Sequence, residues 1–349
     1  MIPYFLILFF LFFCAILDRQ SKNDLVKKTA FVVLALFAGF RYKVGIDYLS
    51  YIEIFNEVEG VYVREPGRAL MISTIKSIGG TAQLYILVMA LITEFFAYKT
   101  LIKYEKPNFW FLTILFYCIS LFYIASFNAS REFMAISLCT WNLYNVNKSK
   151  IKYFSIVLVA GFGLHFSAFI FIPLYFFIRT SHNLITIFFV LFILILLDNT
   201  FVQYLEYTPY AKYEAALYND DRENKVQFSQ YLLASVSLGL IFAGKYFKNF
   251  KNNIILVNMN ILCFYTLILV IIQDVSTFIM LYQRVNNYFV YSYLLIIPAV
   301  LSSLKKDREL LAKVIMVIFS IGYLVLTIVV KGEKHQLIPY DINLNLFNF

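Results

Sequence analysis

Charge is scarce in this sequence. Asp, Glu, Lys and Arg make up 15% of its 349 residues, against 61% hydrophobic and 19% aromatic residues, a balance that no water-soluble core absorbs. Cysteine is equally rare. Cys14, Cys118, Cys139 and Cys263 all fall in apolar stretches without metal or redox spacing, which reads as buried thiols rather than a disulfide framework. No phosphate-binding glycine loop, dinucleotide fingerprint, serine elbow or paired-cysteine motif occurs, and His165, His182 and His335 show no ligand spacing. The sequence therefore calls for no metal and no cofactor, and an enzyme built on it must take its energy from the substrate. Gly/Ser/Pro-rich linkers, low-complexity tracts and internal repeats are also missing. Residues 1–349 thus read as a single integral membrane domain.

What the chain does have is apolar length. Residues 82–98, 254–272 and 311–330 approach the roughly 20 residues a helix needs to cross hydrocarbon. Helices satisfy their own backbone groups there, whereas the alternating segments of a barrel are absent. The expected fold class is all-α, a polytopic transmembrane helical bundle of about 11–13 segments. That number includes one short interfacial or re-entrant helix at residues 68–79. Residues 2–17 lack a basic start and a small-residue cleavage site, and Arg19, Lys22, Lys27 and Lys28 follow them, so they read as a retained first span.

Basic residues cluster between alternate spans, at residues 19–28, 99–106, 148–152, 179, 245–251 and 305–313. By the positive-inside rule these turns are cytoplasmic. The net charge of +9 is then a topology signal, not a nucleic-acid footprint. The outer stretches fall at about 41–67, 126–131, 199–227, 273–284 and 331–349. Residues 152–178 lie between two inside turns, so parity requires the chain to reverse near residues 163–167, which brings His165 to the outer face. In residues 199–227, Tyr204, Tyr207, Tyr210, Tyr213 and Tyr218 are spaced as in a surface helix with interfacial aromatic anchors.

The outer side carries the candidate chemistry. Arg41 stands where helix gives way to loop in Phe40-Arg41-Tyr42-Lys43-Val44-Gly45-Ile46-Asp47. Gly45 permits a turn that folds Asp47 back towards it; the plainer alternative is an arginine snorkelling to headgroups. Glu65 precedes Pro66-Gly67 and the short helix, and reads equally as a helix-start carboxylate. Arg131 lies in Ser126-Phe127-Asn128-Ala129-Ser130-Arg131-Glu132, where Asn128 or Ser130 is placed to cap the next helix. Glu132 is its neighbour in sequence, but adjacent helical residues point apart, which favours an anionic ligand for Arg131. Arg284, in Tyr282-Gln283-Arg284-Val285, is a third arginine at that depth. His165 is solitary, a packing residue or a base. Arginine suits a polyprenyl pyrophosphate, since its planar fork makes bidentate contacts to phosphate oxygens.

Taken in order, these motifs resemble the EpsG family of Wzy-type bacterial polysaccharide polymerases. The likeness runs through Phe40-Arg41-Tyr42 with Gly45, Asp47 and Tyr51, then Glu65-Pro66-Gly67, Arg131 after Ser126 and Asn128, and His165-Phe166-Ser167-Ala168. It continues with Arg284 before Tyr288-Phe289 and ends at Pro339-Tyr340. It spans nearly the whole chain, with one departure: the family's Arg-Gln pair is Arg131-Glu132 here. The resemblance implies a multi-pass protein of the bacterial cytoplasmic (inner) membrane with its active face periplasmic or extracellular. There it would join oligosaccharide repeat units carried on undecaprenyl pyrophosphate, without metal. The site then expected has Asp47, His165 and Arg131 as catalytic residues, and Arg41, Arg284, Tyr51, Glu65 and Tyr340 as substrate-binding ones. Its partners would be lipid-linked oligosaccharides and the bilayer, with a flippase and a chain-length regulator as candidates, and no nucleic acid. Two other readings stay open. A single-sugar polyprenyl-phosphate-dependent glycosyltransferase would use Asp47, Glu53, Glu57 and Glu59. A lipid-linked oligosaccharide flippase would line a cavity with the arginines.

Overall fold

The computed structural model describes residues 1–20, 24–57, 65–104, 117, 122–180, 228–272, 279–333 and 335–347. The tyrosine-rich stretch 199–227, Cys118, His182 and Glu59 lie outside the described residues. Helices dominate, as expected for an all-α protein. Among the described residues three helical segments are long and apolar enough to cross a membrane, Ala82–Ile102, Ile254–Ile271 and Arg308–Val329. Shorter apolar helices cover Ile2–Asp18 and Phe166–Phe177.

The chain gathers into two compact units, Met1–Ile172 with Ile297–Phe349, and Pro173–Ile296. The first holds α1 (Ile2–Gln20), α2 (Leu25–Gly39), α3 (Tyr48–Asn56), α4 (Pro66–Ser77), α5 (Ala82–Tyr104), α6 (Ser130–Asn142) and α7 (Lys150–Val159). Helix α5 packs between α2 and α6. Small residues allow the approach to α2: Ala35 and Ala38 are buried, and a Cβ on Gly39 would overlap Leu87 of α5, the close-packing device of membrane helices. Tyr48, Tyr51 and Phe55 of α3, Ile72 and Ile75 of α4, Tyr85 and Met89 of α5 and Met134 of α6 form one buried cluster. Helix α4, at 12 residues, is too short to span, as its sequence indicates.

The expected reversal near residues 163–167 is present. After α7 comes a π-helical turn, Ala160–Leu164, then an extended His165 at φ −155° and ψ 128°, then a 3-10 turn, Phe166–Ile170. Tyr153 Oη donates to Phe171 O at 2.8 Å. Eighteen residues of straight helix would put these groups about 27 Å apart, so the bond requires the chain to double back.

The C-terminal residues strap the first unit. Asp341–Ile342 pairs antiparallel with Arg41–Tyr42, with Arg41 opposite Ile342 and Tyr42 opposite Asp341. Thr81 N donates to Leu346 O at 2.9 Å and Asn343 N to Phe40 O at 2.8 Å. Tyr340 stacks on Phe37 with ring centroids 4.2 Å apart, meets Tyr4 edge-on, and donates to Phe37 O. Its place is thus a packing position on α1 and α2.

The second unit contains Phe228–Ala243, Ile254–Ile272 and Ile279–Val290. Tyr293, which begins the next helix at Tyr293–Leu301, joins two of these apolar helices: its Oη meets Ser237 Oγ and donates to Asn260 Oδ1 at 2.7 Å, and Asn260 Nδ2 donates to Ser237 O at 3.0 Å. This closed triangle leaves few lone pairs unsatisfied among the packed side chains, which is how polar residues join helices in an apolar setting.

Candidate functional site

Two of the sequence motifs fold into one object. The turn at residues 126–130 is wrapped by the segment that begins at Arg41. Arg41 is 1% exposed. Its guanidinium donates to Ala38 O, to Val44 O at 3.2 Å, to Phe127 O at 3.1 Å and to Ser130 Oγ at 2.8 Å, and lies over the Phe127 ring. Gly45 makes the expected turn at φ +95°, and a Cβ there would overlap Phe127 O. The expected return of Asp47 onto Arg41 does not occur, because carbonyls and a hydroxyl take the guanidinium and Asp47 instead heads α3. Arg41→Ala would leave these buried acceptors without a donor, at about 1–3 kcal/mol each. Its expected outcome is a loss of folded protein, read as membrane abundance and melting temperature in detergent; a normal amount of stable protein would refute the role.

Tyr51 closes the same turn. Its hydroxyl donates to Asn128 O at 3.0 Å and accepts from Ser130 N at 2.8 Å. Neither Asn128 nor Ser130 caps α6 as expected. The N-cap residue is Ala129, without a side-chain cap, while Asn128 Oδ1 accepts from Ile46 N at 2.8 Å and Ser130 Oγ donates to Ser126 O at 2.7 Å. The cap is the Tyr51 hydroxyl, from 79 residues away. Burial, then the Asp47 carboxylate, push the Tyr51 phenol above its ordinary range, so it keeps the proton it donates. Tyr51→Phe should unpair both partners and lower the melting temperature in detergent with the Arg131 charge intact. An unchanged melting curve would show that the hydroxyl does not hold the turn.

The turn projects Arg131, whose guanidinium lies 6.0 Å over the Tyr51 ring and whose Nη1 pairs with Glu65 Oε2 at 3.1 Å. The sequence suggested an anionic ligand for Arg131; the chain itself supplies an anion, 66 residues upstream. Glu65 stands at the N-cap position of α4 without making a side-chain cap bond, and Pro66 follows it in the first turn. Its Oε2 also pairs with Arg68 Nη1 at 3.3 Å, and its Oε1 accepts from Phe166 N at 3.4 Å. The His165 loop is thereby tied to the same carboxylate. A backbone contact fixes the approach: a Cβ on Gly67 would overlap the Cα and carbonyl of Gly163. His165 Nδ1 faces Ser167 Oγ at 2.5 Å and Ser167 N at 3.4 Å. A backbone N–H can only donate, so Nδ1 accepts and the neutral ring carries its proton on Nε2.

Glu65, Arg68 and Arg131 therefore meet, with the loop that carries His165 tied to the same carboxylate through Phe166 N and with the Tyr51 ring against Arg131. Two guanidinium groups share one carboxylate oxygen. No sequence motif singles out Arg68, although it follows Glu65 by three residues at the head of a helix and so shares its face. Burial and the neighbouring Arg131 lower the pKa of Arg68, with Glu65 and Tyr85 acting in the opposite sense. Arg68 Nε and the fully buried Tyr85 hydroxyl have no hydrogen-bond partner, which marks a place where a ligand's oxygens would be welcome. Arg284 belongs to the second unit, half-buried in Ile279–Val290 two residues before Asn286, which accepts from Thr266 Oγ1 at 2.7 Å.

Comparison with known proteins gives one family match: the model of the EpsG family matches residues 24–342. No curated protein and no solved structure matches the chain.

Proposed function

This chain belongs to the EpsG family, a family of Wzy-type polysaccharide polymerases and exopolysaccharide biosynthesis proteins, and from that premise we propose the reaction that its site carries out. Membership supports a broad role in polysaccharide polymerisation, and the three apolar helices place the chain in a membrane. The finer reading is that it joins oligosaccharide repeat units carried on undecaprenyl pyrophosphate, at the outer face of the bacterial cytoplasmic membrane.

The observation that carries this reading is the pair Arg68 and Arg131 on one carboxylate, beside donors without partners. A sugar hydroxyl of one lipid-linked unit attacks the anomeric carbon of another, and lipid pyrophosphate leaves with the bonding electrons. Pyrophosphate is a good leaving group, so fixed positive charge matters more than an acid. Arg131 and Arg68 bind its oxygens in bidentate fashion. Arg41 acts through the turn it holds rather than by touching substrate. His165, with its proton on Nε2, donates a hydrogen bond to substrate. Two lipid-anchored reactants held in one place also gain from proximity.

Deleting the gene in its host and resolving the surface glycan on a gel tests the assignment. A polymerase mutant retains single repeat units and loses the long ladder. If every repeat unit vanishes from the surface, the protein is an exporter.

A further inference from the structure

We propose that Glu65 is the general base of the transfer, held by its two arginines until a pyrophosphate takes them over. The inference rests on the reading that the ligand is a lipid-linked pyrophosphate.

Both oxygens of Glu65 are occupied, Oε2 by Arg68 and Arg131 and Oε1 by Phe166 N–H. An internal anion thus stands where a phosphate oxygen would stand. A carboxylate and a phosphate compete for the same donors, and a pyrophosphate brings more charge and more acceptor oxygens than one carboxylate. Its arrival moves the guanidinium groups from Oε2 to phosphate. Pro66 fixes the backbone at the head of α4, so only the side chain has to turn.

The freed Oε2 then lies next to the phosphate attached to the anomeric carbon, the neighbourhood the acceptor hydroxyl must enter. No other group at the cluster is as well suited. The arginines are permanently protonated, and His165 Nδ1 is already taken by Ser167. The acceptor O–H gives its proton to Oε2 while its oxygen bonds to the anomeric carbon. The bond from that carbon to the pyrophosphate oxygen breaks, and its electron pair leaves with the lipid pyrophosphate on Arg68 and Arg131. Glu65 passes its proton to water and, once the spent carrier has left, pairs with the arginines again.

Glu65→Gln keeps the shape and removes both the charge and the basicity. In the purified full chain it should bind inorganic pyrophosphate about tenfold more tightly than wild type, because the internal competitor is gone. Turnover of lipid-linked repeat units should fall by about 10² or more. In Glu65→Ala, added formate should restore part of that turnover, a rescue that a merely structural carboxylate would not show. Near-normal turnover of Glu65→Gln, or absence of formate rescue in folded Glu65→Ala, would overturn the proposal while leaving pyrophosphate binding by wild type intact. If wild type binds no pyrophosphate and Arg131→Ala turns over normally, the reading of the site falls, and the base assignment with it.

Discussion

Arg131→Ala should abolish visible chain extension while leaving protein abundance unchanged. The magnitude follows from the role proposed for the side chain. Removing one fixed donor to a developing oxyanion costs about 10²–10³ in rate, enough to reduce a long glycan ladder to its first rungs. The side chain is only partly buried, at 22% exposure, and Glu65 retains Arg68 as a partner, so the fold should tolerate the loss. Arg131→Lys should recover part of the activity, because a single ammonium replaces the charge but not the fork. The check is glycan length against repeat-unit supply, with the protein quantified by immunoblot. A normal ladder from Arg131→Ala would remove the arginine from the reaction.

The second large effect comes from a contact without charge. Gly67→Ala should eliminate polymerisation, whereas Gly163→Ala should be nearly silent, although the two glycines face one another. A Cβ on Gly67 would run into backbone of Gly163, which has no rotamer to change; a Cβ on Gly163 would meet only Val159 Cγ1 at 3.9 Å. Helix propensity pulls the other way at Gly67, since alanine is better than glycine by about 1 kcal/mol inside a helix. A backbone collision outweighs that, because relief requires moving the His165 loop away from Glu65. The paired variants separate the effects: lost glycan from Gly67→Ala with normal glycan from Gly163→Ala supports the contact. Normal glycan from both would mean that the His165 loop need not dock on α4.

Much of this arrangement can be read from the sequence, and the reasons it fails elsewhere are physical. The short helix after Pro66 is visible because its apolar stretch is too brief to span. The reversal at His165 is visible because two basic turns demand it. Arg41 is misleading, since a lone arginine at a helix end looks the same whether it faces a ligand or the carbonyls of its own chain; only the folded turn at Phe127 decides. The cap on α6 is invisible locally, because Tyr51 comes from a distant helix. Arg68 was the residue to find, three positions after a carboxylate that also pairs with Arg131.

Because no motif singled it out, Arg68 gives the most direct test of the site: replace the native gene by Arg68→Ala and resolve the surface glycan. Single repeat units should persist, the long ladder should disappear, and the protein should be present at its normal level. A full ladder, or the loss of every repeat unit from the surface, would contradict the account.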